Sequence, residues 1–372
     1  MENEALSKNK HTSDSNTALQ QKKYPKVVKA WLIAGLVLIF VQVVVGGITR
    51  LTGSGLSITK WEIVTGTLPP FNEAEWEEAF GLYKSTPQYQ KINDGMSMPA
   101  FKFIYFWEYF HRLWARMMGF VFIIPFTIFW LRGYFDKVLL RRLGGVFLLA
   151  GIVASFGWIM VASGLTNRPW VNAYKLTMHL SLAFILYSYL LWTTFKVIVP
   201  NKHVFHSVLL KKWTIFISIF IGFQIVLGGI MSGTKASLYF PSWPDMNGQI
   251  MPEVLSDSSQ WIVENFINYD SGTFMVAFIQ ILHRTTAYAL FIIALAFIWL
   301  VFKHAIKGAF RTGSILLIIM LMVQMTLGIL TLLYSRGVIP VGLGVLHQGG
   351  ALLLLTVSLY LTFLSTRKKN MT

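Results

Sequence analysis

Gln42-Val43-Val44-Val45-Gly46-Gly47-Ile48 recurs 182 residues later as Gln224-Ile225-Val226-Leu227-Gly228-Gly229-Ile230, and each copy lies inside a long apolar run. One such match is weak on its own. His111-Arg112 recurs as His283-Arg284 at a separation of 172, however, and His179 recurs as His347 at 168. Landmarks in one order with a slowly shrinking offset predict two similar halves that differ by small loop changes.

Working outward, apolar segments long enough to cross roughly 30 Å of hydrocarbon occur near 30–48, 104–131, 143–163, 174–195, 213–231, 275–302, 313–334 and 343–365. Eight spans divide into four per half. The fold class expected is therefore an all-α polytopic membrane protein, eight transmembrane helices as a tandem repeat of two four-helix bundles. Four spans per half preserve orientation, so the repeats should be related by an axis along the membrane normal. The Gly pairs read as sites of close helix approach.

Composition agrees. The 372 residues are 55% hydrophobic and only 13% charged, against about 25% charged in soluble chains. The formal charge of +16 would suggest a nucleic-acid partner in a soluble protein, but the membrane explains it better. Twenty of the 32 Lys and Arg lie in the two tails and in the turns after spans two, four and six. The positive-inside rule then puts both termini and every even turn in the cytoplasm, and the odd loops, with Glu73, Glu75, Glu77 and Glu78, outside.

The expected organisation is a disordered cytoplasmic tail over 1–28, a first bundle over 29–200 with a long outer loop 49–103, a second bundle over 201–366 with an outer loop 232–274, and a cytoplasmic tail over 367–372. The first 25 residues resemble neither a signal peptide nor a transit peptide. With no Cys there is no disulfide, thiolate site or Cys nucleophile.

His11, His203, His206 and His304 fall in the tail or in turns. His111, His179, His283 and His347 instead lie on the even spans near their outer ends. One intramembrane His is often a packed, hydrogen-bonded residue, but four at one depth, repeated between halves, favour ligation. Two His per half cannot complete a tetrahedral zinc site without further ligands. They can complete a haem iron, which needs only two axial imidazoles. The pairs would be His111 with His179 and His283 with His347, with pairing across the halves left open by spacing alone.

Arg112 and Arg284 follow ligand candidates directly, and Arg116 lies one turn deeper; each could pair with a haem propionate or snorkel toward water. Trp107, Trp114 and Tyr288 read as core or interface aromatics. Glu108 precedes His111 by three residues, on the same helix face, where the second half has Gln280. A carboxylate near the apolar region is costly and marks a functional candidate, here a proton acceptor. The structural alternative is an ion pair with Arg112 at the four-residue spacing.

The segment Gly46 to Ser57, Glu108-Tyr109-Phe110-His111-Arg112, His179, Leu282-His283-Arg284 and His347-Gln348 together resemble the haem A synthase family, over all eight spans. That resemblance implies oxidation of the C8 methyl group of haem O to a formyl group by successive hydroxylations, giving haem A. It implies that the second-half His pair holds haem b, that the first-half pair binds the substrate haem O, and that Glu108 is catalytic. Some members carry paired Cys in outer loops, and this chain is similar to the Cys-free branch; the loop with Trp61, Pro69 and Pro70 also resembles that branch. A bacterial inner membrane is the expected location. The family implies work beside the farnesyltransferase that makes haem O, and an electron acceptor that the sequence does not identify. A bis-His di-haem cytochrome b-type electron carrier or quinol oxidoreductase is the main competing function, and a non-catalytic haem carrier a third.

Overall fold

The computed structural model describes residues 24–59, 68–165, 168–200 and 207–366. The tails at 1–23 and 367–372, with His11, and also Trp61, Lys202, His203 and His206, lie outside the described residues.

Eight helices are long and apolar enough to cross a membrane: α1 (Lys26–Leu51), α3 (Met98–Leu131), α4 (Lys137–Ala162), α5 (Ala173–Ile198), α6 (Val208–Gly233), α9 (Phe274–Lys303), α10 (Ala309–Leu333) and α11 (Val341–Leu364). They correspond to the eight expected spans. Among the described residues no strand forms. Hydrocarbon leaves the backbone no partner but itself, so apolar runs of this length become helices. The starts are set by polar caps: Ser97, Asp136, Asn172 and Ser207 each accept a first-turn backbone N–H. Because α1 begins at Lys26 after Pro25, it takes in residues assigned from sequence to the tail.

Within the first half α1 packs on α3 and α5, and α4 on α5; within the second α6 packs on α9 and α11, and α10 on α9 and α11. The halves meet where α5 lies on α6 and α11, and where α1 lies on α11. Polar side chains pair across this seam and within the second half: Tyr187 Oη of α5 lies 2.9 Å from Thr356 Oγ1 of α11, and Ser218 Oγ of α6 lies 2.7 Å from Ser358 Oγ of α11.

The outer loops are folded caps. In the first, α2 (Glu73–Lys84) lays Phe80 and Tyr83 on Phe101 of α3, with ring centroids 4.8 and 5.3 Å apart. Tyr83 Oη donates to Gln88, whose amide donates to the Gly53 carbonyl beyond α1. The second contains two short helices, α7 (Glu253–Ser256) and α8 (Val263–Ile267). It is fastened to the first half: Tyr269 Oη accepts from Ala173 N–H at 2.8 Å and Arg168 at 3.0 Å, and Arg168 pairs with Asp270 at 2.8 Å. Ala173 is the first residue of α5, so Tyr269 satisfies one of the N–H groups a helix start leaves over.

Tyr269→Phe strands that buried donor, and should therefore cost about 1–3 kcal/mol, seen as a lower detergent-phase Tm. An unchanged Tm would mean that water serves the Ala173 N–H equally well.

Candidate functional site

His111 on α3, His179 on α5, His283 on α9 and His347 on α11 all lie in the first half of their helices and line one continuous cavity of about 920 Å³ between the helices. Each ring rests on a glycine of a neighbouring helix. A Cβ would stand 3.0 Å from Cε1 of His111 at Gly46, of His179 at Gly157 and of His347 at Gly328, and 3.3 Å from that of His283 at Gly228. The first Gly of each repeated pair thus makes room for an imidazole. The second serves the seam between halves, Gly47 facing the Gln348 amide and Gly229 facing Thr177.

The rings of His283 and His347 have centroids 6.4 Å apart at 84°. Two imidazoles on opposite faces of one iron, with metal–nitrogen bonds of about 2 Å, hold their ring centres roughly 6 Å apart. The spacing fits a shared metal, and both Nδ1 atoms are buried without a hydrogen-bond partner. In the first half His179 Nδ1 lies 3.0 Å from the Val153 carbonyl, which fixes that nitrogen as the donor and leaves Nε2 for a ligand. Among the described residues no three His, Asp or Glu side chains gather as a bare metal ion requires. In the second half two imidazoles face each other, a donor set that suits an iron whose other ligands arrive with it.

Glu108 is 3% exposed. Its Oε2 accepts from Ser57 N–H (2.7 Å), Ser57 Oγ (2.8 Å) and Ile58 N–H (2.9 Å), while Oε1 pairs with Arg112 at 2.5 Å. The ion pair foreseen as the structural alternative is present. Arg112 also donates to the Ile58 carbonyl at 3.1 Å. The Gly-rich segment explains the arrangement. Gly53 takes φ +69° just past α1, and the chain folds back so that Ser57 and Ile58 present their N–H groups to α3.

The second half closes differently. Gln280, fully buried, donates to the Phe240 carbonyl at 2.8 Å, and Arg284 donates to the Ser242 and Asp245 carbonyls at 2.7 Å each. Arg112, Arg116 and Arg284 all line the cavity. Tyr288 Oη accepts from Trp243, and Trp114 donates to the Leu38 carbonyl. On the far side of Arg112 lies a second, polar pocket of about 240 Å³, lined also by Glu75, Glu78 and Tyr109.

Sequence reasoning missed three groups. Gln42 and Gln224, which open the two repeated segments, touch the ligand candidates: the Gln42 amide lies 3.2 Å from the His111 ring nitrogens, and the Gln224 amide donates to the His283 carbonyl at 2.8 Å. Their shared position in the repeat was the available signal. Gly157 and Gly328 carry no motif. Arg50 is half-buried and donates to the Ser232 carbonyl, 2.9 Å away at the end of α6. Nearby Lys235, whose ammonium stands 4.6 Å over Trp170, is pushed below its ordinary range by burial and by the like charge of Arg50.

Residues 29–359 match the family COX15-CtaA, described as cytochrome oxidase assembly protein. The chain belongs to this family. It is 39% identical over 339 residues to a protein of Nitrosospira multiformis named Heme A synthase, covering 90% of this chain and 92% of that one. With a Heme A synthase of Flavobacterium psychrophilum it shares 41% identity over 345 residues, 91% and 98% of the two chains.

The Glu108 carboxylate accepts the Ile58 N–H and shares the Ser57 N–H with the Ser54 carbonyl, which gives a direct check. Hydrogen exchange at the Ile58 amide should stay slow in Glu108→Gln, whose carbonyl still accepts, and should quicken by about tenfold or more in Glu108→Leu, where that donor loses its partner.

Proposed function

We propose that the chain is a haem A synthase, an oxidoreductase that converts the C8 methyl group of haem O to a formyl group. The observation that carries this reading is the pair of imidazole sites in one cavity, only one of which has a carboxylate beside it, in a chain matched almost end to end by proteins named Heme A synthase. A plain electron carrier moves no proton at its sites, so a buried carboxylate in one half where the other has Gln280 favours the synthase reading.

His283 and His347 would hold haem b, and the 6.4 Å ring spacing supports that assignment. Haem bound there supplies reversible one-electron chemistry at its iron. His111 and His179 would bind haem O, with Arg112 and Arg116 on its propionates and Arg284 serving those of haem b. Each guanidinium has other N–H groups besides those that hold the loop backbone. With water as the oxygen source, two hydroxylations of the methyl group followed by loss of water yield the formyl group, the electrons pass to the acceptor, and protons must leave. Glu108 is the acceptor we assign, and Arg112 beside it holds the carboxylate in place. The polar pocket beyond Arg112 offers the released proton a way outward.

The two bundles, 29–200 and 201–366, are read as a tandem repeat. In support, α1 stands to α3 and α5 as α6 does to α9 and α11. The basic tails and even turns support cytoplasmic termini in a bacterial inner membrane. The farnesyltransferase that makes haem O is the natural partner upstream, and an electron acceptor remains to be supplied.

Glu108→Gln should stop formyl formation, read by extracting and identifying the haems after incubation with haem O and an electron acceptor, while leaving the spectrum of retained haem b intact. Full haem A production by that variant would make Glu108 a clamp alone. Replacing His283 or His347 with a non-ligand should abolish the low-spin signal or lose the haem; an unchanged low-spin spectrum in both variants would remove the haem b assignment.

A further inference from the structure

We infer that the gap between α3 and α4 is a lateral opening from the substrate cavity into the bilayer, occupied by the isoprenoid tail of bound haem O. The inference rests on the synthase reading and specifies how its substrate is recognised. In the second half α9 packs along α10. The matching helices of the first half, α3 and α4, are held together by aromatic rings at a deeper level, Phe122 and Phe126 lying 5.0 and 4.9 Å from Phe147. Apart from that cluster α3 and α4 do not pack closely as α9 and α10 do.

The residues at the gap explain the separation. Gly119 on α3 and Ala150 and Ala154 on α4 line the cavity, and the two alanines are exposed, not covered by a facing side chain. Aligning the halves on His111 with His283, and on Gly157 with Gly328, puts Phe291, Leu321 and Met325 at the corresponding places. None of those three is exposed, and Leu321 is only 4% exposed. One half has therefore filled its seam with large side chains where the other kept Gly and Ala. The opening faces hydrocarbon and has apolar rims, so its occupant is an apolar chain. Haem O differs from haem b by such a chain, and a porphyrin seated on His111 and His179 can extend it through the gap without drawing polar groups into lipid.

The test uses the full-length protein in lipid nanodiscs, titrated anaerobically with haem O or haem b so that binding is read without turnover. The wild type should prefer haem O by about tenfold or more, since each buried methylene adds to binding. Gly119→Phe combined with Ala154→Met, the residues of the second half, should bring that ratio to about one, with the retained second-half haem spectrum unchanged as the check on folding. A second measurement avoids bulky substitutions. In this Cys-free chain, Ala154→Cys should react with a maleimide dissolved in the bilayer and be protected by haem O but not by haem b. An undiminished preference in the folded double variant, or equal protection by the two haems, overturns the inference. A protein that makes haem A yet shows no preference refutes the tail site alone. One that prefers haem O yet never forms formyl product refutes the synthase reading and keeps the tail site.

Discussion

Hydrocarbon offers no hydrogen bond, and most of this molecule follows from that constraint. Imidazoles, guanidinium groups, a carboxylate and several amides lie within or at the edge of a bundle with only 13% charged residues, and each depends on partners supplied by the protein. Arg50 reaches the open carbonyls of α6, and Arg284 the backbone of its own loop. Glu108 gathers two backbone N–H groups, a hydroxyl and Arg112. The outer loops are ordered where these buried charges hold their backbones.

The same constraint explains the glycines. An imidazole near the middle of a helix needs space on the neighbouring helix, and a Cβ facing it would stand at 3.0–3.3 Å from the ring. Gly46, Gly157, Gly228 and Gly328 provide that space. Each glycine lowers helix propensity by about 1 kcal/mol relative to Ala, a cost the surrounding bundle absorbs because its spans have no alternative to helix.

Much of this was legible in the sequence. The eight spans follow from apolar run length alone, and the four histidines from their order and repeated offsets. Gly46 and Gly228 were visible too, but only as a packing pair, because a linear motif does not say which neighbour a glycine faces. Gly157 and Gly328 were invisible: a lone glycine in a membrane helix is common and carries no pattern. Arg50 was read as part of a Gly-rich segment, since its partner, the Ser232 carbonyl, lies 182 residues away and is a backbone atom that no side-chain motif encodes. The outer loops passed as irregular because α2 is short and polar, and its burial depends on Phe101 from another helix.

The Glu108 and Gln280 positions show why a matched pair of bundles is not a matched pair of sites. Both side chains lie at one helix position and both are buried, yet they hold their loops with opposite hydrogen-bond polarity. Glu108 accepts from N–H groups, whereas Gln280 donates to a carbonyl. A loop folded to present N–H groups suits an anionic side chain, and one folded to present carbonyls suits an amide donor. A carboxylate at position 280 would face the Phe240 carbonyl with no N–H to give it, whereas an amide at position 108 still offers an accepting oxygen. The difference between the halves is thus built into backbone conformation as well as side-chain identity, so the buried carboxylate belongs to one half and cannot be moved to the other by a single substitution.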